Sequence, residues 1–105
     1  MEKTDLARFE AQAQIMKALS HPTRLFIVNE LANAEKCVSE LTEMVGADTS
    51  TISKHLTIMK NAGIVGFEKR GTNIYYSLKM KCVMNFFTCV NKVLKNKVES
   101  QMAFV

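Results

Sequence analysis

The chain has 105 residues, of which 48% are hydrophobic and 23% charged, with one Pro and four Gly. This length fits one domain, and this composition excludes a disordered protein. No apolar run approaches the roughly 20 residues that a membrane-spanning helix needs, and residues 1–20 do not resemble a signal peptide. The three Cys form no Cys-x-x-Cys pair. We therefore expect a cytoplasmic protein with reduced thiols and no membrane partner.

The net charge of +4 is unevenly distributed along the chain. Residues 1–48 carry five basic and eight acidic groups, a net −3, and residues 82–105 carry a net +2. Residues 49–81 carry six basic groups and one acidic group, a net +5. This local excess of positive charge predicts a surface that binds a polyanion.

Apolar residues at helical spacing predict four helices in the first 61 residues. The first covers residues 5–18. The second begins at Ser20-His21-Pro22, where the serine is a capping residue and the proline fits the first turn, and a connector follows at 33–37. A third helix at 38–45 and a fourth at 49–61 complete the set. The residues predicted to face the core are Leu25, Val28, Leu31, Val38, Leu41, Val45, Ile52, Leu56 and Met59.

The period of the pattern then changes from 3.6 to 2. Residues 64–68 and 74–78 are strand-like, and the polar residues 69–73 between them predict a hairpin with a basic tip. Helical periodicity returns from about residue 80 to residue 98. Its apolar stripe consists of Val83, Phe87, Val90 and Leu94.

This order of elements, α-α-α-α-β-β-α, predicts a winged helix-turn-helix that is mainly α with a small β-hairpin. Residues 1–105 would form a single domain, with the helix-turn-helix at 38–61 and the wing at 64–78. Because so small a domain buries a limited fraction of its surface, we also expect a homodimer that completes the core.

The fourth predicted helix carries hydroxyl groups and a cation on its outward face. Hydroxyls and helix N-termini bind phosphates, and Ser or Thr also contacts base edges. His55 either supports a phosphate contact or packs beneath it. Arg70, in the wing, would reach a minor groove. The predicted DNA-contacting residues are Thr49, Ser50, Thr51, Ser53, Lys54, His55, Thr57, Lys60, Lys69 and Arg70.

Five stretches resemble the ArsR/SmtB family of winged-helix repressors. They read ALSHPTRL at 18–25, EKCVSEL at 35–41, DTSTISKHL at 48–56, MKNAGIV at 59–65 and KRGTNIYYSL at 69–78. The resemblance implies a homodimer on a palindromic, double-stranded DNA operator, with segments 1–18 and 80–105 forming the dimer interface. It also implies repression that ends when an inducer alters the dimer, and it requires no cofactor.

The family's known sensor sites are incomplete in this chain. In the soft-metal branch, Cys-Val-Cys begins the helix before the recognition helix, whereas this stretch reads Cys37-Val38-Ser39. In another branch, zinc or cobalt binds Asp and His of the last helix, and residues 80–98 contain neither. A zinc or cobalt site of that type is therefore not expected.

Cys82 and Cys89 lie seven residues apart on the last predicted helix. Their Cα atoms would be about 10.5 Å apart, too far for a disulfide within one straight helix, so the partner must be Cys37 or a Cys of the other protomer. One hypothesis is a thiolate site for trivalent arsenic or another soft metal ion. The other is a disulfide or reactive-sulfur switch. Each Cys could instead be a small apolar core residue.

Two other classes of function fit the sequence less well. A thiol enzyme with Cys37 as its nucleophile needs His21 or His55 as a base, and the chain has no nucleophile elbow and no phosphate-binding glycine loop. A winged helix that binds protein instead of DNA would have a neutral or acidic recognition helix, unlike one with Lys54 and Lys60. We therefore expect no enzymatic activity and no small organic substrate.

Overall fold

The structure is a computed structural model that describes residues 1–102, so the end of the predicted dimerisation segment 80–105 lies outside the described residues. Within that range the chain forms five helices and three short strands. In chain order they are α1 (Lys3–Leu19), α2 (Pro22–Asn33), β1 (Lys36–Cys37), α3 (Val38–Val45), α4 (Thr49–Asn61), β2 (Val65–Arg70), β3 (Asn73–Leu78) and α5 (Val83–Met102). The mainly helical winged helix-turn-helix is confirmed, with one strand more than expected.

The sheet is antiparallel with the strand order β1-β3-β2. Strands β2 and β3 form the predicted hairpin, and β1 adds a two-residue edge in which Cys37 lies opposite Tyr75. The prediction of a plain connector at 33–37 is therefore wrong at its last two residues. A two-residue strand has no periodicity to detect, because only its pairing with the distant β3 defines it.

Two helix starts differ from the predictions. The N-cap of α2 is His21 rather than Ser20, because the His21 Nδ1 accepts a hydrogen bond from the Thr23 N–H at 3.0 Å. The Ser20 hydroxyl instead donates to the Lys17 carbonyl at the end of α1. At the other end of the chain, α5 begins at Val83, so Cys82 precedes the helix instead of lying within it.

The core lies beneath α4 and contains side chains of α1, α2, α3, β2, β3 and the first residue of α5. On α2 the buried residues are Ile27, Val28 and Leu31. The prediction that Leu25 faces the core is wrong, because Leu25 is 40% exposed. Val28 and Ile27 define the inward face, and helical spacing turns Leu25 away from its centre. The largest fully buried side chains are Ile27, Leu41, Ile52, Leu56, Met59, Ile64, Val28 and Val83.

Apolar side chains on α1 and α5 remain uncovered in the single protomer. On α5 they recur at helical spacing at Phe86, Val90 and Val93, and on α1 they include Leu6 and Phe9. Two apolar helix faces at opposite ends of the sequence are therefore left without a partner. None of the helices within residues 1–102 combines the length and apolar content needed to span a bilayer.

A tight turn between α3 and α4 fixes the direction of α4. Gly46 ends α3 with a φ of 78°, a left-handed conformation that costs little without a Cβ. Asp48 then caps α4, as its sequence predicts: one carboxylate oxygen accepts from the Thr51 N–H at 2.8 Å and from the Ser50 hydroxyl at 2.9 Å. These hydrogen bonds lower the pKa of Asp48 below its ordinary value, and the largest contribution comes from Thr51.

We expect Asp48→Ala to lower the melting temperature by a few degrees above about pH 5, because the first turn of α4 loses its cap. A carboxyl with a lowered pKa stabilises the fold above its ordinary pKa and loses that contribution as the pH falls through the lowered value. The difference between Asp48→Ala and the wild type should therefore shrink toward about pH 2. Thermal unfolding followed by circular dichroism measures both effects.

Asp48→Asn is the matched control, because its amide oxygen also accepts from the Thr51 N–H and does not titrate. It should keep most of the stability at neutral pH and remove this part of the acid dependence. Equal melting temperatures for Asp48→Ala and the wild type at neutral pH would contradict the assigned cap.

Candidate nucleic-acid interface

One side of α4 faces solvent with the side chains that the sequence predicted. The other side is fixed by the buried row Ile52, Leu56 and Met59, so the helix cannot rotate without exposing the core. Ser53 and Lys60 are half-buried at the edges of the outward face. The exposed members of that face are Thr49, Ser50, Thr51, Lys54 and Thr57.

The Ser50 hydroxyl is already engaged at the start of α4. It donates to the Asp48 carboxylate, which also holds the Thr51 N–H. A phosphate at this point would meet a helix N-terminus that already has an anionic cap. Ser50 therefore has to give up an existing hydrogen bond before it can donate to DNA.

His55 lies on the buried side of α4 and does not share its outward face. It is 9% exposed, and its Nδ1 accepts a hydrogen bond from the Arg24 Nε at 3.0 Å. Its ring also lies against the His21 ring, with centroids 4.5 Å apart. Of the two sequence interpretations, a phosphate contact or packing beneath it, the geometry favours the second. No local signal announced Arg24 as the partner, since 31 residues separate the two.

Arg70, in the wing, is held by two carboxylates. Its guanidinium lies 2.8 Å from a Glu35 oxygen and 3.0 Å from a Glu68 oxygen, and it stacks on the Tyr75 ring. Hydrogen bonds to Glu68 and Glu35 raise the pKa of the Arg70 guanidinium above its ordinary value. Contact with a minor groove stays a prediction for Arg70, and it requires the guanidinium to exchange these carboxylates for phosphate or base edges.

Two other wing-side cations have different surroundings. The Lys60 ammonium lies 5.1 Å from the centre of the Phe67 ring, so its stem follows an apolar surface while its charge stays near solvent. Lys69 is exposed at the end of β2. In the described part of the chain Lys69 has no carboxylate within salt-bridge distance, and the same holds for Lys54 on α4.

A cleft of about 340 Å³ separates the wing from the two helices of the helix-turn-helix. It brings together residues that are distant in sequence: Ser39 from α3, Thr49 and Ser53 from α4, and Thr72 from the hairpin turn. Cys37 also lines it. The cleft therefore places one candidate sensor thiol beside two of the predicted DNA-contacting hydroxyls.

The three thiols have different environments. Cys37 is buried at the N-cap of α3, where its N–H donates to a Glu40 carboxylate oxygen and its Sγ lies 3.1 Å from the Ser39 hydroxyl. Hydrogen bonds from the Cys37 backbone first, and then from its side chain, lower the pKa of the Glu40 carboxyl. Cys82 and Cys89 are both exposed. Within residues 1–102 no three His, Cys, Asp or Glu side chains group to hold a metal ion, so a three-thiolate site is not preformed in one protomer.

Comparison with known proteins agrees with this geometry. Residues 21–66 match the family model of the bacterial regulatory protein, arsR family. An uncharacterised HTH-type transcriptional regulator of Methanocaldococcus jannaschii, MJ1325, is 44% identical over 73 residues, which cover 68% of this chain and 82% of that protein. A transcriptional repressor SmtB homolog of Synechocystis is 33% identical over 86 residues, covering 82% of this chain and 65% of the relative.

A solved structure supports the same assignment. The homodimeric winged helix-turn-helix DNA-binding domain of Mb0332 from Mycobacterium bovis superposes with a TM-score of 0.81 at 28% identity, covering 95% of this chain and 93% of that one. Sequence match, fold and the outward face of α4 lead to one conclusion. The chain belongs to the ArsR family of winged helix-turn-helix transcriptional regulators.

Proposed function

We propose that the chain is a homodimeric repressor that binds operator DNA through α4 and the wing and leaves it when an inducer reacts with its cysteine thiols. The observation that carries the DNA-binding part is the outward face of α4, which presents hydroxyls and Lys54 while its opposite face is locked into the core. The net charge of +5 on residues 49–81 supplies attraction to phosphate. The name of the SmtB homolog supports repression as the outcome.

The homodimer follows from the uncovered apolar faces of α1 and α5. Phe86 and Val93 are each about half-exposed in one protomer, 49% and 51%, and exposed side chains of this size on one stripe indicate an interface. The homodimeric Mb0332 domain has the same fold. Two copies would present two α4 helices, which suits half-sites one helical turn of DNA apart.

We expect Val93→Glu to weaken dimerisation by about a hundredfold or more, because each interface would bury two unpaired carboxylates. Sedimentation velocity over a range of concentrations measures the dimer constant. Lys92→Glu is the control, since Lys92 lies about 100° around α5 from Val93, on the side away from Phe86 and Val90. A dimer of unchanged stability in Val93→Glu would exclude this face of α5 from the interface.

DNA binding is tested by its dependence on salt. We expect Lys54→Ala to weaken binding to a duplex of the chain's own promoter and to reduce the slope of log Kd against log salt by about one, since one phosphate contact is lost. Arg70→Ala should reduce the slope by less than Lys54→Ala, because Glu35 and Glu68 already neutralise this guanidinium in the free protein.

The matched control for the salt experiment is Lys92→Ala, which removes the same charge from α5. It should leave the slope unchanged. Gel shift or fluorescence anisotropy at several salt concentrations gives all three slopes. No binding of the wild type to its promoter under any condition, reducing or not, would exclude DNA binding.

Thiol sensing is proposed on the position of Cys37. Its thiol lines the cleft between α4 and the wing, so a group attached there would enter the space that faces DNA. Trivalent arsenic or another soft metal ion would bind thiolates, including an exposed Cys82 or Cys89. The alternative is a disulfide or sulfur bridge between Cys37 and a Cys of α5 or its start, or across the dimer.

We expect Cys37→Ser to abolish most of the release of DNA by arsenite or by an oxidant such as diamide, because Cys37 is the thiol-bearing residue beside the proposed DNA-contacting hydroxyls. Serine is close in size and keeps a polar contact with Ser39. Cys82→Ser and Cys89→Ser, tested singly, identify the second thiol. Intact mass under non-reducing conditions separates an arsenic adduct from a disulfide. If all three variants respond like the wild type, thiol sensing is wrong.

A further inference from the structure

A partly buried polar link joins α1, α2 and α4. Arg24, on α2, donates from its Nε to the His55 Nδ1 of α4 at 3.0 Å, and from its Nη1 to the Ala18 carbonyl of α1 at 3.3 Å. One guanidinium thus connects three helices. Ala18 lies near the end of the helix whose exposed face we assign to the dimer, and His55 lies on the helix that we assign to DNA.

The link fixes the protonation state of His55. A guanidinium stays protonated in proteins and has no acceptor atom, so the Nδ1 of His55 must offer its lone pair. The proton of the neutral ring is then on Nε2. Adding a second proton would place an N–H of a cation against an N–H of another cation and would break the hydrogen bond.

Within residues 1–102 the neighbouring charges that act on His55 are all basic. Arg24 faces it from α2, His21 faces it from the start of α2, and Lys54 precedes it on α4. Burial is the largest cause that lowers the pKa of His55 below 6.5, followed by His21, Arg24 and Lys54. A neutral His55 therefore stabilises this packing above pH 6.5, and the stabilisation is lost as the pH falls from 6.5 through the lowered pKa.

Around α4, His55 lies at the boundary between the buried side and the outward face. The next residue in the chain, Leu56, is fully buried in the core, and the preceding one, Lys54, is exposed on the outward face. A change in the contact beneath His55 therefore acts at the boundary between the packed side of α4 and the side that faces solvent.

We propose that Arg24 is a positioning residue for operator binding: it holds α4 against the α1–α2 junction through neutral His55, and protonation of His55 releases this link and weakens the recognition of operator sequence. The inference rests on the DNA binding proposed above. It concerns sequence-specific binding, since phosphate attraction does not need an exact placement of α4.

Lowering the pH has opposite expected effects on general attraction to DNA and on the preference for the promoter sequence. Protonating a histidine adds positive charge, so simple electrostatics predicts tighter binding to any duplex as the pH falls. The proposed link predicts that the ratio of affinities for the promoter duplex and for a scrambled duplex falls about tenfold when His55 takes up a proton. Both duplexes are titrated at constant ionic strength from about pH 7.5 down to the pH at which His55 is protonated.

Two variants separate the histidines, of which the chain has two. His55→Gln keeps an acceptor for Arg24 and does not titrate, so its affinity ratio should stay constant with pH. His21→Asn keeps the cap of α2, because Asn is a good capping residue, and its ratio should fall as in the wild type. A full fall of the ratio in His55→Gln would overturn the proposal.

Arg24→Met tests the positioning role at neutral pH. It keeps an apolar stem but removes both hydrogen bonds, so the promoter affinity should fall about tenfold while the affinity for the scrambled duplex changes little. An unchanged ratio of the two affinities would overturn the positioning role. If the ratio is unchanged because both affinities fall equally, Arg24 acts as a phosphate contact instead.

A spectroscopic measurement on the wild type decides the link independently of folding in any variant. Long-range ¹H–¹⁵N correlation of the imidazoles at neutral pH should show His55 neutral with its proton on Nε2. A proton on Nδ1 would overturn the link. If the wild type binds both duplexes equally at every pH, the proposed recognition of an operator has failed, and the imidazole spectrum still decides whether the link exists.

Discussion

The burial of one side of α4 is the constraint on which the rest of the molecule depends. Ile52, Leu56 and Met59 are fully buried, and elements from both halves of the chain pack around them. Exposing even one such side chain costs about 1.5–3 kcal/mol, so the rotation of α4 about its axis is fixed. Because that rotation is fixed, the hydroxyls and the cation on the opposite side share one outward face. The surface that suits DNA is thus a consequence of the packing.

Local signals were sufficient for the five helices and the hairpin, and for both faces of α4 apart from His55. The helical spacing of its apolar residues, the glycine that ends α3 and the Asp48 cap all act within a few residues, and each has the predicted role in the structure. The wing was equally accessible, because a period of two on both sides of a polar turn defines a hairpin. These features follow from the chain alone because their physical causes are short in range.

Contacts between distant parts of the chain could not be predicted in the same way. Arg70 was identified as a cation of the wing, but its pairing with Glu35 spans 35 residues and depends on how β1 joins the sheet. The burial of His55 depends on Arg24, which lies on another helix. The charge total of residues 49–81 therefore overstates what is available to a polyanion. Tertiary contacts decide which cations remain free.

The edge strand and the helix-turn-helix share a residue boundary, since β1 ends at Cys37 and α3 begins at Val38. No loop residue separates them, so no backbone torsion between them is free to absorb a change of direction. Cys37, paired with Tyr75 of the wing, therefore connects the wing directly to the first helix of the pair. A displacement of the Cys37 backbone moves the edge of the sheet and the start of α3 together. On the proposed function, a group attached to this thiol would act on both at once.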